Sequence, residues 1–310
     1  MEKVLITSYI NPDMDGTACA MAYAEFLNQT GTPAVAGLLG APHEEAQYVS
    51  DRFGITLPLI DSALNFNKVV LVDVSELFLL DNKVRAESVV EIIDHRVSGK
   101  PEDFVNAKKQ IELVGSAATL VAERFIERDI DMTRDSAILL LSAIISNTLN
   151  FQGSVTTNRD KEVAEKLFEF SQLPRDYFKA LFAAKSDLTD EKLKTALIAD
   201  KTVTRIIANK RMVMPQLEIL GAKELVDTRL NEIISVLNDI KKEDQLDFVF
   251  LNLVDLENNR NYFVTSDIDT KDLVQQIFEI DFGANDYVVR EGLILRKQIW
   301  PLIKDQLEKV

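Results

Sequence analysis

Three apolar runs in the first hundred residues each deliver an acidic residue at their carboxyl end, and this pattern constrains the fold more than any other feature. Val4-Leu5-Ile6 leads into Asn-Pro-Asp-Met-Asp, with Asp13 and Asp15. Lys68-Val-Val-Leu-Val runs into Asp73, and Ser88-Val-Val-Glu-Ile-Ile into Asp94 and His95. Between them lie stretches with helical patterning, Gly16 to Asn28 and His43 to Phe53. Short, nearly continuous apolar runs alternating with helices predict a parallel sheet buried on both faces. Open parallel sheets bind ligands at the carboxyl ends of their strands. Separate acidic points are therefore expected to converge on one edge.

Farther along, Gly115 to Ile126 and Asp135 to Asn147 read as helices, the second apolar all round and so buried. The segment Thr156 to Asp160 reads as a helix start. Near residues 185–195 the chain turns polar and charged (KSDLTDEKLK), which suggests a linker over 188–195. Beyond it, strand-like stretches at Val203–Ile207, Arg211–Pro215, Phe248–Leu253 and Tyr262–Ser266 flank a long helical pattern, Ala222–Lys241. The end, EGLILRKQIWPLIKDQLEKV, reads as a strand, a turn at Pro301 and a helix. The expected architecture is α/β. An N-terminal parallel-sheet domain with helices on both faces spans 1–187, and a smaller C-terminal α+β domain spans 196–310.

The 310 residues are enough for two domains. The formal net charge of -15, from 35 basic and 50 acidic residues, argues against long nucleic acid as a partner. It admits a small anionic substrate only where metal ions or clustered Lys and Arg reverse the sign locally. A single cysteine, Cys19, forbids an intramolecular disulfide. The start MEKVLIT has no signal-peptide pattern, and no run of about 18 apolar residues suggests a membrane span. A cytoplasmic protein is expected.

Asp13, Asp15, Asp73, Asp94 and His95 form a carboxylate and imidazole set suited to hard divalent ions such as Mn²⁺ or Mg²⁺. Each has a plainer reading, because acids are common in this chain. Asp13 can simply cap the following helix, and Asp94 can serve a turn. His43 reads as a solvated loop residue. Arg296 and Lys297 sit side by side in what reads as an apolar strand, where neighbours point to opposite faces. Such a pair is usually solvated, but in a cleft it would bind phosphate oxygens. Lys201 is a weaker candidate of the same kind.

The ordered set NPDMD, LVDV, IIDHR, ELVGSAATL, LLSAIISNTLNF and LRKQIWPL resembles the DHH phosphoesterase superfamily. Within it, the set is most similar to the manganese-dependent (family II) inorganic pyrophosphatase and exopolyphosphatase branch, which carries a C-terminal DHHA2-type domain. The resemblance covers nearly the whole chain. It implies hydrolysis of a phosphoanhydride, inorganic pyrophosphate or short polyphosphate, by a metal-activated water. It implies Mn²⁺, or Mg²⁺ or Co²⁺, as one or two ions, and a possible homodimer through a sheet edge. Asp13 would bind one metal and Asp15 the other. Asp73 would bridge them, His95 would ligate the Asp15 ion, and the position of Asn147 would supply a further ligand. Arg96, Lys201, Arg296 and Lys297 would hold phosphate groups.

Three positions depart from that pattern. Tyr9 stands where the motif begins with His, Arg96 replaces the second His of Asp-His-His, and Asn147 stands where Asp is usual. A neutral phenol is a poor ligand near pH 7. Asn can still coordinate but brings no charge. Arg cannot release a proton at ordinary pH, so Arg96 cannot serve as a general acid, although it can bind a phosphate oxygen. The alternative reading is a catalytically weakened relative that binds a phosphate-containing ligand or a protein partner in the same cleft. A phosphodiesterase of other branches of the superfamily is a third reading, from which LRKQIWPL points away.

Overall fold

The computed structural model describes residues 3–96, 99–189, 191–199 and 204–309. The chain divides into two compact units, Met1–Ala184 and Lys185–Val310.

In the first unit, strands β1 (Val4–Thr7), β2 (Ala34–Ala36), β5 (Val69–Val72), β6 (Val89–Asp94) and β7 (Lys108–Ile111) form the expected parallel sheet, in the order β2-β1-β5-β6-β7. A small side ladder pairs β3 (Leu38–Leu39) with β4 (Leu59–Ile60). Helix α1 (Met14–Gln29) packs on the sheet, with α3 (Ala117–Glu127) beside it. Behind these lie α4 (Arg134–Asn147) and α5 (Asn158–Ser171). Helix α2 (Glu44–Phe53) leans on α1 and α4, and α6 (Tyr177–Lys185) closes the unit.

The cover on the sheet's other face differs in kind. Leu5, Val69 and Leu71 point there by strand alternation, and Val89 and Ile92, three apart on β6, both join them because a bulge at Val90 shifts the register. They pack against Leu80, Val84 and Phe104, carried by short 3₁₀ turns and the segments between them. Helix α4 is buried along nearly its whole length, as its uniform apolarity predicts.

The second unit begins with α7 (Lys192–Ala199), so part of the polar KSDLTDEKLK stretch is helical; Leu188, Leu193 and Leu197 are buried in the unit's core. Strands β8 (Arg205–Ile207), β9 (Lys210–Val213), β10 (Gln216–Ile219), β11 (Phe248–Val249), β12 (Leu251–Asp255), β13 (Arg260–Val264) and β14 (Tyr287–Glu291) make two sheets, β10-β12-β13-β14 and β11-β9-β8. Alternation along β13 sends Tyr262 and Val264 toward α7 and α8 (Ala222–Glu243), and Phe263 toward α9 (Ile268–Phe278) and α10 (Arg296–Leu307).

Arg296 and Lys297 require a correction. They do not lie in a strand: they open α10, which runs through Pro301 without the expected turn. The Gln298 side chain accepts from the Leu295 N–H at 2.9 Å and fixes the helix start. Pro301 falls in the second turn, where it has no N–H to give the ladder, and the helix nevertheless continues to Leu307.

Candidate metal centre

Asp15 stands in the first turn of α1 and is fully buried. Its partners come from the start of α3, a hundred residues away in sequence. Oδ1 accepts from the Ser116 hydroxyl at 2.8 Å and the Ala118 N–H at 2.9 Å. Oδ2 accepts from the Ala117 N–H at 2.8 Å and the Asn147 side-chain amide at 2.6 Å. A helix N-terminus leaves N–H groups without intrahelical partners and carries partial positive charge, so a carboxylate suits it. Burial nevertheless dominates and raises the Asp15 carboxyl above the ordinary range; nearby His95 and the Ser116 and Ala117 donors pull the other way.

Asp73 ends β5 with φ of 54°, a left-handed conformation that costs a non-glycine residue about 1–2 kcal/mol. Its Oδ1 meets Arg96 Nη2 at 2.7 Å and His95 Nε2 at 3.4 Å. Arg96 Nη2 also donates to the Asp73 carbonyl. The other carboxylate oxygen, Oδ2, is buried and has no hydrogen-bond partner. Burial raises the Asp73 carboxyl, Arg96 offsets part of this, and Asp15 and Asp13 add to the rise.

His95 follows β6. Its Nδ1 lies 3.0 Å from the Val114 carbonyl, which only accepts, so Nδ1 carries the proton and Nε2 faces the carboxylates. Nε2 lies 3.8 Å from Asp15 Oδ2. Burial would lower the imidazole's pKa, but the Asp73 hydrogen bond and the Asp15 and Asp73 charges outweigh it and push it up to about 9.

Asp94 turns away from this group. Its Oδ1 accepts from the His95 N–H at 2.8 Å and the Arg96 N–H at 3.2 Å, and its Oδ2 accepts from the Ser75 hydroxyl at 2.6 Å. It aims the next two residues, as a turn carboxylate does. Gly99 backs Ser75 so closely that an added Cβ would lie 1.9 Å from its hydroxyl.

Among the described residues, Asp15, Asp73 and His95 are the one group of acids, His or Cys whose ligand atoms converge, all within 4.8 Å of one another. Asp13 does not join them: it caps α1, accepting from the Gly16 N–H at 3.0 Å. Tyr9 accepts from the Asp13 N–H at 3.2 Å. Burial, reinforced by Asp13 and Asp73, holds its phenol neutral far above the usual range. Asn147 ends α4 and presents its amide nitrogen to Asp15, because a carboxylate oxygen can only accept. Arg296 opens α10 in the other unit, with its guanidinium 3.3 Å from the Met214 carbonyl. Lys201 lies outside the described residues, as does the side chain of Lys297.

A divalent cation fits the Asp15–Asp73–His95 group. Two buried carboxylates held this close repel each other, and the Asp73 Oδ2 lone pairs have no donor. A cation there would answer both costs, and the donors are two oxygens and an imidazole nitrogen suited to Mn²⁺.

The centre also depends on residues that the motif reading passed over. Asp160 accepts from the Gly115 N–H at 3.0 Å and 2.9 Å and from the Thr119 hydroxyl at 2.6 Å, while also capping α5. It pins the loop that carries Val114 and Ser116. The only signal for it was the capping pattern Thr157-x-x-Asp160.

Residues 3–144 match the DHH family, N-terminal domain, and residues 179–306 match the DHHA2 domain. The chain is 28% identical over 312 residues to the manganese-dependent inorganic pyrophosphatase of Bacillus subtilis, with 99% of each covered. It is similar to a crystal structure from Methanococcus jannaschii named "putative family II inorganic pyrophosphatase", with 26% identity, a TM-score of 0.72, and 98% of this chain and 99% of that one covered. An exopolyphosphatase-related protein from Bacteroides fragilis shares the fold at 13% identity and a TM-score of 0.51, with 99% and 92% covered.

Proposed function

Because the chain joins a DHH-family N-terminal domain to a DHHA2 domain, we propose that it is a metal-dependent hydrolase of phosphoanhydrides, acting on inorganic pyrophosphate or short polyphosphate. The observation that carries this reading is the buried Asp15–Asp73–His95 group with its unpartnered Asp73 oxygen. These three residues would hold the ion, Mn²⁺ by the likeness to the Bacillus subtilis enzyme, with Mg²⁺ or Co²⁺ as substitutes. Bound there, a divalent ion supplies a water made acidic enough to attack at neutral pH and a Lewis acid for a phosphoryl oxygen.

The chain's own side chains do the rest. Val114 fixes the His95 tautomer so that Nε2 stays on the carboxylates. Arg96, 41% exposed, keeps guanidinium N–H groups available to a phosphate oxygen while anchored on Asp73. It holds its proton at any working pH, so it binds and orients and does not exchange protons. In the second unit Arg296 and Lys297 stand in the first turn of α10, where the helix dipole favours an anion, and we assign them, with Lys201, to the phosphates. Asp13 and Asn147 are assigned as outer contacts of the metal group.

No helix among the described residues is long and apolar enough to cross a membrane. A cytoplasmic site of action, and a homodimer along a sheet edge at β2 or β7, complete the proposal.

The test is phosphate release from pyrophosphate, tripolyphosphate and nucleotide phosphates with Mn²⁺, Mg²⁺ and Co²⁺. Manganese-stimulated release from pyrophosphate or tripolyphosphate is expected. Silence across all combinations would sink the reading. It would leave the binding-only alternative, which the Arg96–Asp73 and Asn147–Asp15 contacts favour.

A further inference from the structure

We propose that the Arg96 guanidinium is a built-in cation of the acidic centre, so that the centre takes a single divalent ion, held by Asp15, Asp73 and His95. This rests on the metal-dependent reading above and departs from the two-ion arrangement that the sequence pattern implies.

The two oxygens of Asp73 differ. Oδ2 is buried and unpartnered. Oδ1 is shared: His95 Nε2, which also lies 3.8 Å from Asp15 Oδ2, is 3.4 Å from it, and Arg96 Nη2 holds it at 2.7 Å and the main-chain carbonyl as well. The guanidinium Nε lies 3.4 Å from Asp94 Oδ1, and its centre lies 5.7 Å from the middle of the Tyr9 ring. Four groups of the centre thus converge on one guanidinium, and Asp94 also fixes the Arg96 main chain.

Little else around Arg96 could ligate a metal. Tyr9 is a neutral phenol whose oxygen already accepts from Asp13 N–H. Asp13 gives one oxygen to the helix cap. A second divalent ion would have to displace Arg96 from Asp73 or sit beside its fixed positive charge. The charge count agrees. Against the Asp-His-His pattern with a final Asp, Arg96 adds one positive charge and Asn147 removes one negative charge. Together they supply the two charges of one divalent ion.

The full-length protein, stripped with a chelator, is titrated with Mn²⁺ by calorimetry. Bound manganese is counted by elemental analysis, and its electron paramagnetic resonance spectrum is recorded. One tight equivalent with the spectrum of an isolated ion is expected. Arg96→Gln, which removes the charge and keeps a polar side chain, is expected to gain a second, weaker equivalent. Arg96→Lys, which keeps the charge, stays at one. Two tight equivalents in the native protein with an exchange-coupled spectrum overturn the inference, and hydrolysis of pyrophosphate by that protein would leave the function standing. No binding at millimolar Mn²⁺ overturns both. An Arg96→Gln protein that stays at one equivalent also overturns the inference; the native count needs no variant to fold.

Discussion

Asp15 and Asp73 are buried carboxylates a few ångströms apart, yet they carry different loads. Asp15 is held through both oxygens: a hydroxyl, two N–H groups at the start of α3, the Asn147 amide and the Cys19 thiol all point at it. It ties α1, α3 and α4 into one body. Asp73 shares one oxygen between Arg96 and His95 and leaves the other bare. One residue is positioned by the fold and helps hold it together. The other is kept in a costly state that a bound cation would relieve. Stability and chemistry are thus divided between two like residues by the donors around each.

The largest test of that division is Asp15→Ala. It strands five donors, three of them at the buried start of α3, of which the N–H and hydroxyl groups are each worth ~1–3 kcal/mol when left unsatisfied. Urea unfolding is expected to show a loss of ~3 kcal/mol or more; a loss below ~1 kcal/mol would mean that α3 does not depend on Asp15.

Asp73→Asn should behave oppositely. Folding stability without metal is expected to stay level or rise, because a buried charge with a bare oxygen is gone. Manganese affinity should fall about a hundredfold, ~2.7 kcal/mol, by calorimetry. Equal stability losses at both positions would erase the distinction.

A smaller effect follows from protons. The Asp73 carboxyl is raised and His95 lies at about 9, so across this range the folded chain binds more protons than the unfolded one. For Asp73, pushed up to about 7, stability falls between about pH 4, where the unfolded carboxyl ionises, and about pH 7, where the buried one follows. For His95, the stabilising pairing is complete below about 6.5 and is lost as pH rises through 9. Both signs agree. Chelator-treated protein should therefore lose on the order of 1–2 kcal/mol between about pH 5 and about pH 9. Excess Mn²⁺ should flatten the slope, and a slope of the opposite sign in unfolding midpoints would contradict the assignment.

The smallest expected change is Ser75→Ala. It removes one buried hydrogen bond to Asp94 and should cost ~1 kcal/mol by thermal or urea unfolding, with a modest loss of metal affinity as His95 loses its aim. No change in either would mean that Asp94 holds the turn unaided.

Strand ends were the legible part of this molecule. VVLVD and VVEIID announce β5 and β6 because a run buried on both faces is apolar at nearly every position, Glu91 being the exception, and the acid marks the strand's end. The convergence of Asp73 and His95 followed from that alone. What Asp15 does was not legible, because Ser116 is 101 residues away and two of its donors are main-chain N–H groups, which no residue identity encodes. Asp13 shows the converse: the plain expectation of a helix cap describes the contact it makes. The Arg296 segment misled because LIL before it and IW after it suit a strand as well as a helix when the run is short. Pro301 reads as a stop, yet the helix runs past it without that ladder hydrogen bond.

The most direct test of the account is a crystal structure with Mn²⁺ located by its anomalous scattering. One strong peak is expected in the N-terminal unit, ligated by Asp15, Asp73 and His95, with the Arg96 guanidinium still on Asp73. Two peaks, or a single ion at Tyr9 and Asp13 with Arg96 swung out to solvent, would contradict it.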